Sequence, residues 1–308
     1  MSTVAGASLR RWDQRARGFD SVLGINGRND RIAWENDRWA IRLVNDKYAT
    51  KRALEDQGAP VAPTLAILRS RTEMRAFDWG ALPDTWALKP NQSLGGNGIM
   101  LAFGRRAATT WHTGSGTDVT LLEVKDHLRF ILDGEYSGRS RDAGLIEPLI
   151  RSHPDLERIT YRGLPDIRVI CVGDEPRLAM MRLPTSQSGG RANLHQNAVG
   201  AAVDLDTGCV LQAWAGNRRL TQHPDTGAAL IGVRVPFWDR VLDAAARCSR
   251  ATGLRYLGAD IVIDAERGPL ILEVNARPGL QIQNVTGLGL IEAIGPTRLA
   301  EATQTVTA

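Results

Sequence analysis

A single lysine and a cluster of glycines lie between two apolar, strand-like runs in the segment from Trp86 to Phe103. Glycine amides approach phosphate oxygens more closely than a Cβ would allow, and an ammonium group neutralises phosphate charge. Lys89 comes before Gly95-Gly-Asn-Gly98, whereas the lysine of a Walker loop follows its glycines. The segment therefore predicts a nucleotide phosphate site with a glycine lid, and a simple glycine turn is the alternative.

A second group of chemically capable residues comprises Asp260, Glu273 and Asn275. Glu273 and Asn275 are two apart on a predicted strand and so share a face, which Asp260 on the paired strand can join. Two carboxylates and a carboxamide are the oxygen ligands that Mg²⁺ prefers. An unpaired carboxylate inside Leu270-Ile-Leu-Glu-Val-Asn275 would be costly. These residues therefore favour a metal site over an edge-strand charge pair.

A third group is rich in hydrogen-bond donors and contains Arg168, Arg191, Asn193, His195 and Asn197. Arginine forks beside flexible glycines suit an anionic group held in a cleft, and a solvated loop is the alternative. The remaining histidines have no metal-ligand or triad spacing and are expected at the surface: His112, His127, His153 and His223.

Hydrophobic periodicity and capping residues predict the elements that must position these groups. Helices are predicted over Asn45–Gln57 with Asn45 or Asp46 as N-cap, over about 118–132, and over Phe237–Thr252. Strands are predicted over 144–150, as two runs within 166–183, as a pair within 198–214, and over 256–264 and 270–275. Irregular chain over 151–166 is typical of a hinge, and residues 1–44 show no clear periodicity.

Composition places the chain among ordinary globular proteins. It has 308 residues, 43% hydrophobic and 23% charged, enough for two lobes or one large domain. The net charge is +4 with opposite charges interspersed, which disfavours a nucleic acid partner. No run approaches the roughly 18 apolar residues of a membrane helix, and the start lacks a signal-peptide core, so a cytoplasmic location is expected. Three widely spaced cysteines indicate neither a disulfide framework nor zinc.

Taken in order, the motifs resemble the ATP-grasp superfamily, most closely the α-L-glutamate ligase group that modifies ribosomal protein S6 and its uncharacterised relatives. The resemblance covers about residues 22–285. The matching segments are Leu23–Asn29, Asn45-Asp-Lys47 with Thr50-Lys51, Lys89 before Gly95–Gly98, Ile146–Leu149, Asp166-Ile-Arg168, Arg191–His195, Asp260 and Glu273–Gly279.

This resemblance implies an α+β ATP-grasp fold of two α+β lobes, with ATP held between antiparallel sheets. Residues 1–44 form an N-terminal segment that is short relative to the family. Residues 45–148 form the small lobe with the phosphate lid, and residues 149–308 form the large lobe with the magnesium site.

The resemblance also implies roles for individual residues. The ATP phosphates are contacted by Lys47, Lys89 and the lid residues Gly95, Gly96, Asn97 and Gly98. Adenine is bound by Glu147, Pro148 and Leu149. Asp260, Glu273 and Asn275 hold one or two Mg²⁺ ions, or Mn²⁺. Arg191 steadies the transferred phosphoryl group or the tetrahedral intermediate, and Arg277 or Arg168 fixes a substrate carboxylate. Further substrate-binding residues are Asn193, His195 and Asn197.

The implied activity is a carboxylate–amine ligase. ATP phosphorylates a small-molecule or peptide carboxylate, and an amine acceptor attacks the acylphosphate to give an amide, ADP and phosphate. The added group is expected to be an amino acid such as glutamate. Arg277 stands where the family motif Asn-Ala-Ser-Pro-Gly has serine, which adds a charge near the metal ligands. The alternatives are an ATP-grasp kinase that phosphorylates a small-molecule hydroxyl, and an ATP-binding module without turnover.

Overall fold

The computed structural model describes residues 22–32, 36–93, 96–114, 116–138 and 140–295. The chain forms two compact units. The small unit comprises Asn45–Arg52 and Val61–Ile150, and the large unit comprises the described parts of Met1–Val44, Ala53–Pro60 and Arg151–Ala308. The lobe boundaries predicted from sequence stay a proposal. Within the described ranges, no helix is both long and apolar enough to cross a membrane.

The small unit is built on a six-stranded antiparallel sheet with strand order β1-β6-β2-β3-β4-β5. Its strands are β1 (Ala66–Leu68), β2 (Trp86–Pro90), β3 (Met100–Ala107), β4 (Thr110–Thr113), β5 (Asp118–Thr120) and β6 (Gly144–Pro148). Its helices are Arg71–Ala76 and Leu121–Leu132, together with residues 47–52 of the helix Lys47–Asp56 and a 3₁₀ turn at Trp79–Ala81.

One core holds this sheet to its helices. Trp86 on β2 and Trp111 on β4 are fully buried, with ring centroids 5.5 Å apart in an edge-to-face arrangement. The helix Leu121–Leu132 presents Val124 and Leu128 to that core. It starts at Thr120, whose side chain and that of Glu123 form a capping box.

The helix predicted over 118–132 is thus confirmed from residue 121 onwards and wrong for its first three residues. Asp118–Thr120 form strand β5 instead, paired with β4. Val119 packs into the core from this strand, and the cap at Thr120 fixes where the helix begins. The helix predicted over Asn45–Gln57 is confirmed as Lys47–Asp56, with Asp46 Oδ1 accepting from Ala49 N at 2.8 Å.

The large unit is built on a seven-stranded antiparallel sheet with order β11-β10-β9-β8-β7-β12-β13. Its strands are β7 (Asp166–Val172), β8 (Glu175–Leu183), β9 (Val199–Val203), β10 (Val210–Ala215), β11 (Arg218–Leu220), β12 (Tyr256–Asp264) and β13 (Gly268–Asn275). Its helices are Ile25–Arg31, Arg38–Val44, Pro154–Glu157, Trp238–Thr252, Gln281–Thr286 and Leu290–Ile294, with a 3₁₀ turn at Leu194–Gln196.

All nine residues of β12 are buried, because the strand lies inside the sheet and both of its faces are covered. On one face the helix Trp238–Thr252 packs over β7, β12 and β13, and it ends at Gly253 in the left-handed conformation. On the other face of the sheet the helix Gln281–Thr286 packs over β8, β9 and β10, and Tyr256 of β12 belongs to the same core. The α+β fold, this helix and the predicted antiparallel hairpins are therefore confirmed.

Candidate functional site

Two lysines and one glutamate form a buried charged group in the small unit. Glu147 lies on β6, Lys89 on the adjacent β2, and Lys51 on the helix Lys47–Asp56. The Lys51 ammonium donates to Glu147 Oε1, and Lys89 Nζ lies 2.5 Å from Glu147 Oε2. The three side chains are only 7%, 15% and 6% exposed for Lys51, Lys89 and Glu147. Burial would raise the pKa of Glu147, but the charges of Lys89 and Lys51 outweigh it and lower the pKa. The group therefore carries one net positive charge, which suits a phosphate.

Lys47 begins the helix Lys47–Asp56, and its side chain contacts the residues that enter the glycine loop. Its ammonium donates to the carbonyl of Ser93, and its backbone N–H donates to Asn91 O at 3.2 Å. The Asn91 side chain in turn accepts from Tyr48 N at 2.7 Å. The helix start and the loop entry are thus held together within the small unit.

The glycine lid is described only in part, because Gly95 lies outside the described residues. Gly96 and Gly98 have φ values of +76° and +77°, a conformation that glycine adopts without strain. A Cβ on Gly98 would lie 2.6 Å from the Tyr136 ring, and Gly98 O lies 2.8 Å from His127 Nε2, which must donate. Asn97 between them is exposed. This tip of the loop is therefore shaped for glycine.

Pro148 and Leu149, predicted near adenine, follow Glu147 at the end of β6 and are half-buried. Pro148 pairs with Trp86 on β2.

In the large unit, Asp260 on β12 is surrounded by hydrogen-bond donors. Arg168 on β7 donates to it from Nε at 2.7 Å and Nη2 at 2.6 Å, and Arg182 Nη2 on β8 lies 3.0 Å from Oδ2. Arg182 also donates to Asp166. Burial would raise the pKa of Asp260, but the two guanidinium charges outweigh it and lower the pKa. Burial raises the pKa of Asp166 to about 6, although the charge of Arg182 opposes the shift.

The predicted metal ligands lie next to one another on β12 and β13. Asp260 and Glu273 are direct cross-strand partners, so their side chains share a face. Asn275 Nδ2 donates to Asp260 Oδ2 at 3.2 Å. Among the described residues, Arg168 is the one donor to Asp260 Oδ1. Because a carboxylate oxygen has two lone pairs, the second lone pair of Oδ1 can still bind a cation. The described residues contain no cluster of three or more His, Cys, Asp or Glu side chains suited to a metal. The set of two carboxylates and one carboxamide nevertheless fits Mg²⁺, which takes oxygen ligands.

The predicted substrate residues are gathered in one turn. Asn193 Oδ1 accepts from His195 N at 3.0 Å and begins the 3₁₀ turn Leu194–Gln196, and Asn197 ends it with φ of +68°. His195 Nδ1 lies 3.4 Å from Gln281 Nε2. Arg191 is exposed just before the turn, and Arg277 is exposed beyond β13. The structure therefore brings Asn193, His195 and Asn197 together, whereas Arg168 lies in the Asp260 cluster.

Sequence reasoning missed the role of Arg182, which links Asp166 and Asp260. The signal was present, because a charged residue inside Leu178-Ala-Met-Met-Arg-Leu183 resembles the buried-carboxylate pattern used for Glu273. The expectation that His223 lies at the surface is wrong. Its ring is 1% exposed, Nε2 donates to Pro184 O at 2.9 Å, and burial lowers its pKa.

Comparison with known proteins identifies the family. A family model described as sugar-transfer associated ATP-grasp matches residues 28–297. The chain belongs to this ATP-grasp family. A probable alpha-L-glutamate ligase from Xanthomonas campestris pv. campestris (strain 8004) is 45% identical over 304 residues, covering 94% of this chain and 82% of the relative. Another from Xanthomonas euvesicatoria pv. vesicatoria (strain 85-10) is 26% identical, covering 94% and 81%.

A solved D-alanine–D-alanine ligase from Bacillus anthracis is similar to this ATP-grasp chain with a TM-score of 0.48 at 15% identity, covering 88% of this chain and 71% of that one. The sequence resemblance to the ATP-grasp superfamily and to its α-L-glutamate ligase group is confirmed by the family match and the relatives. The prediction of an enzyme of the ligase type is confirmed at the same level.

Proposed function

We propose that this ATP-grasp chain is an ATP- and Mg²⁺-dependent carboxylate–amine ligase. In the proposed reaction a carboxylate oxygen attacks the γ-phosphorus of ATP, ADP leaves, and an amine displaces phosphate from the acylphosphate to form an amide. The observation that carries the proposal is the cross-strand pair Asp260–Glu273 with Asn275 bonded beside it, in a chain of this family. Phosphoryl transfer depends on positioning and charge neutralisation rather than on covalent chemistry by the protein.

The small unit is proposed to bind the nucleotide. Lys51 and Lys89 share one carboxylate, so the group keeps a net positive charge that attracts phosphate. Lys47 at the loop entry and the glycines at 95–98 are proposed phosphate contacts, and Glu147 to Leu149 are the proposed adenine segment.

In the large unit, Asp260, Glu273 and Asn275 are proposed to hold one or two Mg²⁺ ions, or Mn²⁺. The bound cation would neutralise phosphate charge. Because Arg168 and Arg182 already balance Asp260 and Asp166, the metal-free cluster has at most the charge of Glu273 to attract a cation. We therefore expect weak cation binding without nucleotide and much tighter binding with it.

Donors on the large unit are proposed to handle the substrate. Arg191 would steady the transferred phosphoryl group, and Arg168 or Arg277 would hold a substrate carboxylate. The turn with Asn193, His195 and Asn197 is proposed to contact the acceptor. The substrates are proposed to be a small-molecule or peptide carboxylate and an amine, with glutamate as the first candidate because the curated relatives are named as probable alpha-L-glutamate ligases.

The test is ADP release from the purified full chain with Mg²⁺ATP and panels of amino acids and peptides, followed by mass spectrometry. Acceptor-dependent ADP and phosphate together with an amide product support the ligase. A stable phosphorylated product supports the hydroxyl kinase and refutes ligation. Nucleotide binding without acceptor-dependent ADP supports the non-catalytic module.

Two variants connect this activity to the proposed residues. Lys89→Ala and Glu273→Gln are each expected to abolish acceptor-dependent ADP formation while the protein stays folded. The matched controls are Lys125→Ala, a lysine that stacks 5.9 Å from the Trp79 ring, and Glu266→Gln at an exposed turn. Near-normal turnover in both site variants would defeat the assignment.

A further inference from the structure

The N-terminal residues of the large unit contact the strands that carry the candidate metal ligands. Asn36 is buried, and its carboxamide makes four hydrogen bonds. Its Nδ2 donates to Tyr256 O at 2.7 Å and to Ala276 O at 3.2 Å, while its Oδ1 accepts from Arg255 N at 2.9 Å and Tyr256 N at 3.0 Å. One side chain thus bridges the start of β12 and the residue that follows β13.

This bridge lies at the point where the pairing of β12 with β13 ends. The β12–β13 ladder begins at the pair Gly258–Asn275, so Ala276 lies beyond the last paired residue. A buried carbonyl at such a point needs a donor from outside the ladder. Asn36 supplies that donor to the residue immediately after the candidate ligand Asn275.

A second tether lies two residues further along. Arg28 is buried, and its Nη1 donates to Pro278 O at 2.7 Å. Pro278 itself packs so closely on Gly258 that a Cβ there would lie 2.6 Å from Pro278 Cβ. Arg277 therefore sits between two carbonyls, those of Ala276 and Pro278, that are each held by a side chain from the N-terminal residues.

We propose that Asn36 and Arg28 are positioning residues that fix the backbone of residues 275–279, and thereby aim the Asn275 carboxamide at the bound cation and hold Arg277 in place for substrate. The proposal rests on the proposed ligase function. The β-ladder sets the side-chain direction up to Asn275, its last paired residue. The two tethers hold the backbone beyond Asn275, where the ladder has ended, and so fix the end of the strand from which the Asn275 side chain projects.

Three variants and one matched control test the idea in the full chain. Asn36→Leu keeps the branching at Cγ and removes all four bonds, and Arg28→Met removes the bond to Pro278 O. Arg28→Lys keeps a cationic donor for that carbonyl. Gln283→Met is the control, because Gln283 is also a buried amide bonded to the N-terminal residues, at Leu23 N and O. Its other side-chain hydrogen bonds join Leu280 O and Leu290 N rather than the backbone of residues 275–279.

Cation binding is measured directly, by electron paramagnetic resonance titration of Mn²⁺ in the presence of ADP, and the Mg²⁺ dependence of ADP release is measured beside it. Loss of groups that orient a metal ligand typically weakens the metal by about 10- to 100-fold. We expect a weakening of that order in Asn36→Leu and Arg28→Met, seen as a higher KM for Mg²⁺ with a nearly unchanged kcat at saturation. Arg28→Lys is expected within about threefold of the parent, since the donor to the carbonyl is retained.

A merely structural role would lower the melting temperature of every variant, including Gln283→Met, and leave the Mn²⁺ affinity unchanged. That result overturns the proposal. If Asn36→Leu does not fold, the comparison of Arg28→Met with Arg28→Lys decides. Amide hydrogen exchange of residues 275–279 in the metal-free protein gives a readout that needs no activity. It should rise in Arg28→Met and stay at the parent level in Gln283→Met.

The proposed function fails separately, if the parent protein binds no Mn²⁺ with ADP. In that case the positioning role fails with it, whatever the hydrogen exchange of the variants shows.

Discussion

Replacing Glu147 by Gln would leave two buried ammonium groups facing a neutral amide. Lys51 and Lys89 are 7% and 15% exposed, so little water is present to screen their repulsion. Removing one partner of a buried ion pair typically costs about 3–5 kcal/mol of folding free energy. At roughly 2–4 °C per kcal/mol for chains of this size class, the melting temperature of Glu147→Gln is expected to fall by about 6–20 °C.

ATP should reverse much of this loss, because its phosphates can take over the charge balance of the missing carboxylate. A ligand at 100 times its Kd stabilises the folded state by about 2.7 kcal/mol. If the loss of the carboxylate charge lets Lys51 and Lys89 bind ATP about tenfold more tightly, the variant gains about 1.4 kcal/mol more than the parent protein at the same ATP concentration. The ATP-induced rise in melting temperature should therefore be larger in Glu147→Gln than in the parent.

The assay is a thermal melt of both proteins over a series of ATP concentrations at fixed Mg²⁺. The double variant Lys51→Met/Glu147→Gln is the control, because it removes one of the two repelling cations and should recover part of the lost stability without ATP. A smaller ATP-induced shift in Glu147→Gln than in the parent would refute the charge-balance reasoning. It would indicate instead that the carboxylate itself contacts the nucleotide.

Three further perturbations have defined outcomes. Gly98→Ala places a Cβ at φ +77°, a conformation that costs about 1–2 kcal/mol, and should raise the KM for ATP in ADP-release assays while kcat changes less. Gly163→Ala, whose Cβ would lie 1.9 Å from Gly190 O, should lower the melting temperature and raise the KM for the acceptor, because the adjacent loop must move. Burial lowers the pKa of His223, so the folded state favours the neutral ring. The contribution of His223 to stability is therefore complete above its unfolded pKa of about 6.5 and is lost as the pH falls through its lower pKa in the folded state. Urea denaturation of His223→Gln should show a flatter pH dependence than the parent, whose Nε2–H donates to Pro184 O.

Elements with strong local periodicity were predictable from sequence. The helix Trp238–Thr252 has apolar residues at helical spacing and a glycine immediately after it, so both its buried face and its end follow from local chemistry. The hairpin of β12 and β13 follows from two apolar runs around a short turn, and its alternation places Glu273 and Asn275 on one face.

Errors arose where tertiary contacts overrode local pattern. Asp118–Thr120 continue a helical spacing, yet pairing with β4 and burial of Val119 make them a strand. His223 has polar sequence neighbours, but the carbonyl of Pro184, distant in sequence, accepts a hydrogen bond from Nε2 and allows the ring to be buried. Pro184 lies 39 residues from His223, beyond any local window. Strand β4 is only a short turn away from Asp118–Thr120, but the helical spacing of the following residues concealed that hairpin.

Residue types and spacing alone indicated Lys89 with the glycines, the three candidate metal ligands and the arginine-rich turn, because strand alternation and loop chemistry are local. Lys47, Glu147 and Arg277 were indicated only by the resemblance to the ATP-grasp superfamily. The charge partners of these residues depend on strand order. Arg168 meets Asp260 because β7 lies beside β12, and Arg182 joins them from β8. Asn36 bonds to Ala276 across a separation of 240 residues. Groups this far apart in the sequence meet only when the sheet assembles, so their contacts stabilise the fold only at that stage. A local sequence pattern therefore contains no sign of them.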